Sequence, residues 1–499
     1  MGEKKAARGA GILLSIASLP SSYGIGTLGG AAFRFIDLLV DLKQKYWQLL
    51  PIGPTNYLDS PYQSSSAFAG NPYFIDLEEL VYEKLLQDTE IRSLNWGNDI
   101  QHIDYAVMYQ NRYSVLKRAF ERFDVLGLEY QEFVEKQQYW LEDYALYAAL
   151  KKKFHDREWQ SWDTPARDRD EQKLAEYRIQ LKDEIEYIKF CQYEFFKQWN
   201  ALHKYAEKKG IQLIGDIPLY VALDSADVWS CRKSFQLKED GTPIGVAGTP
   251  KDVFSMEGQI WGNPVYDWKQ MEEDGFFWWK ERIHRESELF DGIRLDHFVG
   301  TVRYYMIPNE AGATVNSGRW NRGPGRKLME IITESAGESF IIADDIGPKN
   351  VLPAVKKVLS KAGWPVTRIL MFAFEDDTAN EHLPHNYENR NIVVYPGTHD
   401  NETIVGHFHD KTDYELAYLY EYLNIRTKEE IPDALIRTAY GSVADIVIIQ
   451  MQDLLKLGNE ARMNAPATTG ANWKWRVGEA TLSEERRTWI RTLAAVYRR

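Results

Sequence analysis

Apolar positions along the chain gather into short runs rich in Ile, Leu and Val, separated by longer stretches with helical spacing. These runs predict strands at 11–18, 46–52, 211–217, 292–297, 339–344, 367–374 and 391–398, with a weaker one at 446–451. Eight strands alternating with helices is the number that closes a parallel barrel. The expected fold is therefore α/β, a (β/α)8 TIM barrel spanning residues 1–499 as a single unit. The second and third strands lie far apart, and the charged, Tyr- and Trp-rich, helix-like region between them predicts a mostly helical insertion over 80–205. A second insertion, 224–288, follows the third strand and is punctuated by glycine and proline within 241–266. Loops of this kind after barrel strands usually build the site. About fifty residues follow the eighth strand, enough for closing helices and too few for a C-terminal β-sandwich domain.

Charge and cysteine content narrow the partners. Sixty basic residues against 73 acidic ones give a formal net charge of −13, which repels nucleic acid and anionic membranes. Two cysteines, Cys191 and Cys231, are too few for a disulfide framework and suit a reduced, cytoplasmic setting. The basic start followed by the apolar run at 11–20 imitates a signal peptide, but no small-x-small cleavage site follows and the run enters Pro20 and a glycine-rich turn, as a first strand would. No run approaches the ~18 apolar residues of a membrane helix.

Four predicted strands end in acid: Asp216 closes the third, Asp296-His297 the fourth, Asp344-Asp345 the fifth and His399-Asp400 the seventh. One such Asp is most simply a cap for the following helix. Four of them, emerging at one mouth of a parallel barrel, would converge on one pocket. Converging carboxylates suit either a hard divalent cation or glycoside cleavage, in which one attacks the sugar and a second donates a proton. The chain lacks the His-Glu-x-x-His spacing of a transition-metal site, and its loops hold aromatics and amides that suit uncharged sugar rings: Tyr57, Tyr62, Trp261, Asn263, Tyr266, Asn472, Trp473 and Trp475. Neither a metal nor an organic cofactor is expected. Gly24-Ile-Gly26-Thr-Leu-Gly29 has the form of a dinucleotide fingerprint, but the next strand ends in Pro and Gly where a ribose-binding acid is required. Residues 318–327 carry Pro324 where a phosphate loop needs lysine, and no Gly-x-Ser-x-Gly elbow is present.

At these residues the chain resembles the amylomaltases, the 4-α-glucanotransferases of glycoside hydrolase family 77, bacterial counterparts of the plant disproportionating enzyme. The segments that carry the resemblance are 46–55, 59–73, 215–221, 258–264, 293–297, 397–401 and 460–464. It implies transfer of α-1,4-glucan segments between maltooligosaccharides, amylose or related glucans by a retaining mechanism. Asp296 would be the nucleophile, Asp344 the acid/base and Asp400 the residue that holds sugar hydroxyls, with Arg294, His297 and His399 alongside. Tyr57, Ser60, Tyr62, Asp216, Gln259, Trp261 and Asn464 match glucan-contacting positions, and the loop 246–261 matches one that overhangs the cleft and disfavours water. Arg294, two residues before Asp296 on a strand, should face the same side and keep that carboxylate ionised.

The main departure lies at 343–347, where the family has Ala-Glu-Asp-(Leu/Ile)-Gly and this chain has Ala343-Asp-Asp-Ile-Gly347. Asp344 is one methylene short of the family's acid, which withdraws it by ~1.5 Å. A misplacement of about 1 Å can cost ~100-fold, so severely reduced turnover is expected of this acid/base variant. Asp345 should point to the opposite side. Smaller departures are 15–17, commonly His-Pro-Thr in the family, and Pro396, where the family has Thr. The alternatives are a non-catalytic maltodextrin-binding or regulatory barrel, and an α-amylase-like hydrolase.

Overall fold

The computed structural model describes residues 6–56, 59–252, 255–374, 377–478 and 482–499. Eight parallel strands close a barrel: β1 (Gly9–Leu13), β2 (Tyr46–Gln48), β3 (Gln212–Ile217), β6 (Gly292–Leu295), β9 (Phe340–Ala343), β10 (Val366–Ile369), β11 (Ile392–Tyr395) and β12 (Ile446–Gln450). Each is buried on both faces, or nearly so, because helices cover the outside and side chains fill the inside. That is why strands such as Ile446-Val-Ile-Ile-Gln450 read as continuous apolar runs.

All eight predicted strands are present, most of them shorter than expected. β1 stops at Leu13 because Ser15 turns the chain into a 3-10 helix, Ile16–Ser18, by accepting the N–H of Ala17. β2 ends before Pro51 and β11 before Pro396, neither of which can donate to a ladder. β10 passes directly into another 3-10 helix, Leu370–Phe372.

Between β2 and β3 the chain is helical, and the long helices Leu128–Lys153 and Lys182–Lys209 pack against one another. The second ends at Gly210, whose φ of 75° is the left-handed cap that glycine adopts without strain, and the chain enters β3 two residues later. A separate antiparallel sheet joins β4 (Gly245–Thr249), β5 (Gln259–Pro264), β7 (Arg303–Pro308) and β8 (Arg319–Arg322) in the order β5-β4-β7-β8. Two of its strands come from the segment after β3 and two from the segment after β6. It stands beside the mouth of the barrel, and the β4–β5 hairpin forms one wall of the cleft there. Among the described residues, no helix is long and apolar enough to cross a membrane.

Candidate active site

Adjacent strands β3, β6 and β9 bring Asp216, Arg294, Asp296 and Asp344 together through the register that pairs Asp216 with Arg294 and Leu295 with Ala343. The centre of the cluster is the Arg294 guanidinium, buried at the end of β6. Its Nη1 donates to both oxygens of Asp216 at 2.7 Å and to Asp296 Oδ1 at 3.1 Å, and its Nη2 donates to Asp344 Oδ2 at 2.9 Å. A fixed cation thus occupies the point on which the carboxylates converge, and charge-assisted bonds of this kind hold them firmly.

Asp344 is held from three directions. Besides Arg294, its Oδ2 accepts the backbone N–H of His297 at 3.3 Å and its Oδ1 that of Ile346 at 3.4 Å. Asp345 is buried and turned away, accepting the N–H of Thr367 at 2.9 Å and pairing with Arg368 at 3.3 Å. The adjacent carboxylates at the end of β9 therefore do different work: one meets the cleft and the other ties β9 to β10.

Asp400 lies in the segment after β11. Its Oδ1 accepts Asn464 Nδ2 at 2.6 Å, its backbone carbonyl accepts Arg462 Nη2 at 2.9 Å, and its Oδ2 is 3.4 Å from His399 Nε2. The Tyr62 hydroxyl bridges this group to the first, donating to Asp216 Oδ2 at 3.0 Å and standing 2.8 Å from His399 Nε2, with the two rings stacked. Because Tyr62 donates to Asp216, His399 Nε2–H donates to Tyr62 in turn.

Burial pushes the Asp296 carboxyl well above the ordinary carboxylate range; Arg294 opposes the shift, and Asp216, Asp344 and Asp400 reinforce it. Asp216 is also raised by burial against the pull of Arg294. Arg294 favours the ionised form of Asp296, as expected, but its guanidinium is shared three ways and lies closer to Asp216 and Asp344, so burial outweighs it. The cluster resists carrying every negative charge at once. Burial also lowers His297 to about 4, so its imidazole is neutral at ordinary pH.

These side chains line a cleft of about 2090 Å³, larger than a pocket for a single small molecule (~300–1,000 Å³). Of the residues expected at the site, Ser60, Tyr62, Gln259, Trp261, Arg294, Asp296, His297, Asp344, Asp400 and Asn464 line it. Tyr57 lies outside the described residues. Asp216, expected among the glucan contacts, is instead enclosed behind Arg294 and Tyr62, and His399 is buried beneath Tyr62 and Trp473. Tyr266 and Trp475, offered as sugar platforms, are core residues. Residues not singled out as site members also line the cleft: Gln63, Tyr220, Asn263, Asn472 and Trp473. Gln63 bonds Asn263 Oδ1 at 2.8 Å and so joins the β2 loop to the β5 strand. A sequence signal existed for Asn263, Asn472 and Trp473, which sit among the loop amides and aromatics.

Comparison with known proteins agrees with this arrangement. The family described as 4-alpha-glucanotransferase, glycoside hydrolase family 77, matches residues 14–481. A 4-alpha-glucanotransferase of Clostridium butyricum is 43% identical over 491 residues, covering 97% of this chain and all of that protein. One from Thermus thermophilus is 42% identical over 498 residues, covering 98% of each. Among solved structures, the amylomaltase of Streptococcus agalactiae in complex with acarbose superposes with a TM-score of 0.93 at 39% identity, covering 99% of each chain. With a family match over nearly its whole length and relatives above 40% identity end to end, the chain belongs to the 4-alpha-glucanotransferases of glycoside hydrolase family 77.

Proposed function

We propose that the family's reaction, transfer of α-1,4-glucan segments, runs here by double displacement through a covalent ester on Asp296, with Asp344 as an acid/base held too short for full rate. In the first step an Asp296 oxygen bonds to C1 of the donor sugar and the C1–O bond breaks. Asp344 gives its proton to the departing 4-oxygen. In the second step the 4-hydroxyl of an acceptor sugar bonds to C1, Asp344 takes its proton, and the Asp296 ester breaks. Asp400, fixed by Asn464, is placed to hold hydroxyls of the sugar that carries C1.

The observation that supports this most is one guanidinium gripping both Asp296 and Asp344. Such a grip favours the short separation of a retaining pair, ~5–5.5 Å, over the ~6.5–9.5 Å that leaves room for water in an inverting one. The same grip draws Asp344 against the strand ends. The β4–β5 hairpin beside the mouth favours a sugar over water as acceptor. The substrates on this reading are maltooligosaccharides and longer α-1,4-glucans, and the setting is the reduced cytoplasm, with no nucleic-acid or membrane partner.

Incubation with maltotriose tests the reading, with glucose and longer oligomers as the expected products. Reducing sugar without elongation would point to a hydrolase, and binding without any product to a non-catalytic barrel. Asp344→Glu should raise transfer by about 100-fold. A flat response would remove Asp344 from the acid's role.

A further inference from the structure

Beneath the β4–β5 hairpin, two buried polar atoms lack a hydrogen-bond partner: the Tyr220 hydroxyl and His297 Nε2. Both residues line the cleft. A buried polar group left unpaired costs about 1–3 kcal/mol, so two side by side at the wall of a sugar cleft call for an explanation.

Their placement is specific. Tyr220 follows β3, and its ring stacks on Tyr266 at 6.0 Å and meets His297 at 6.4 Å and Trp261 at 6.1 Å. His297 holds a left-handed backbone, φ 50°, and its ring meets the Trp261 ring edge-on at 4.8 Å. Positive φ is uncommon outside glycine, and His is among the residues that adopt it more readily. Gly300 leaves room for the pair: a Cβ there would stand 3.0 Å from His297 Cδ2 and 3.2 Å from the Tyr220 hydroxyl.

The side of the scissile bond follows from the proposed chemistry. An acid must reach the leaving oxygen, which belongs to the sugar that departs and is later replaced by the acceptor. The backbone N–H of His297 holds Asp344, and the His297 ring stands with Tyr220 and Trp261 at the cleft wall, the wall assigned here to that sugar. On the opposite side, Asp400, Asn464, Tyr62 and His399 bond one another.

We propose that Tyr220 and His297, under the edge of Trp261, form a two-point polar clamp for hydroxyls of the leaving-group and acceptor sugar, making Tyr220 a determinant of acceptor affinity. The proposal rests on the transferase reading. Tyr220 can donate and accept through one hydroxyl, and the neutral imidazole offers either role at Nε2, so the pair suits the mixed donor and acceptor pattern of a sugar diol.

Tyr220→Phe keeps the ring and removes only the hydroxyl. With maltotriose as donor and glucose as acceptor, at high enzyme concentration and again in the Asp344→Glu background, the acceptor KM should rise about 2- to 10-fold, the range of one neutral hydrogen bond. The ratio of transfer to hydrolysis should fall in parallel, while donor KM rises no further than acceptor KM and the melting temperature holds. His297→Asn, which tolerates the left-handed backbone, should raise acceptor KM likewise. An unchanged acceptor KM in both variants, or a rise confined to donor KM, would overturn the proposal while leaving the transferase reading in place. Failure of the parent and of Asp344→Glu to make any longer oligomer would sink the transferase reading instead.

Discussion

The two ends of the cleft are built differently. Around Asp400 a chain of side chains is already bonded, with His399 Nδ1 alone of these buried and unpaired: Asn464 bonds Asp400, Tyr62 bridges His399 and Asp216, and Arg462 holds the Asp400 carbonyl. Around His297 the Tyr220 hydroxyl and His297 Nε2 lie buried and without any partner in the wall of the cleft, beside a hairpin that belongs to a separate sheet. The difference matches the two halves of a transfer reaction. The sugar that becomes covalently attached needs a site rigid enough to hold a strained ring, which pre-organised hydrogen bonds supply. The partner sugar must leave and be replaced, and a site completed only by its occupant allows that exchange.

The strongest way to break the comparison is to remove the nucleophile. Asp296→Ala should abolish transfer from every donor, on the order of 10⁴-fold or more, whatever the acceptor concentration, as read by oligomer formation from maltotriose. Retention of more than a trace of transfer would mean that the covalent bond forms elsewhere. Asn464→Ala acts on the same end more gently. It deprives Asp400 of its 2.6 Å bond, and a hydrogen bond to a charged group contributes about 1.5–3 kcal/mol. The expected loss is therefore about 10- to 100-fold in kcat/KM for donor, with acceptor KM unchanged, the reverse of the Tyr220→Phe pattern. Acceptor kinetics moving instead of donor kinetics would erase the distinction between the two ends.

Much of this was legible in the chain because barrel topology converts a local feature into a convergent one. An Asp at the end of each of several apolar runs needs no knowledge of neighbours to be placed at one mouth. What the runs could not disclose was lateral pairing. Arg294 meets Asp216 and Asp344 because β6 lies between β3 and β9, a contact across 78 residues on one side and 50 on the other. For the same reason Asp216 read as a sugar contact, whereas in the fold it anchors the arginine. The β4-β5-β7-β8 sheet escaped because its strands come from two separated segments, and one of them, Arg319-Trp-Asn-Arg322, is too polar to read as a strand. Tyr220 escaped because an unpaired hydroxyl is a property of the packed site and leaves no mark on residue spacing.

The smallest effect on turnover is expected at the support beneath Asp400. Asp453 is buried beyond the cleft lining and accepts the N–H of Ile404 at 2.8 Å, at the start of the helix Ile404–His409 that follows the Asp400 segment. Burial pushes its carboxyl up to about 7, whereas the unfolded chain releases that proton near ~3.9. The raised folded value fixes the sign. Below about pH 4 both states hold the proton and the site is neutral to stability. As pH rises towards 7 the unfolded state alone has ionised, so stability falls, and above 7 the folded protein carries the full cost of a buried charge. Asp453→Asn keeps an oxygen for the Ile404 N–H and has no proton to lose. Its melting temperature should exceed the parent's at pH 8 by the equivalent of about 2–4 kcal/mol, and the gap should close on titration to pH 4, with kcat at pH 6 unaltered. A gap that stays constant with pH would show that the gain comes from packing, and a fall in kcat would show that the carboxylate itself tunes Asp400.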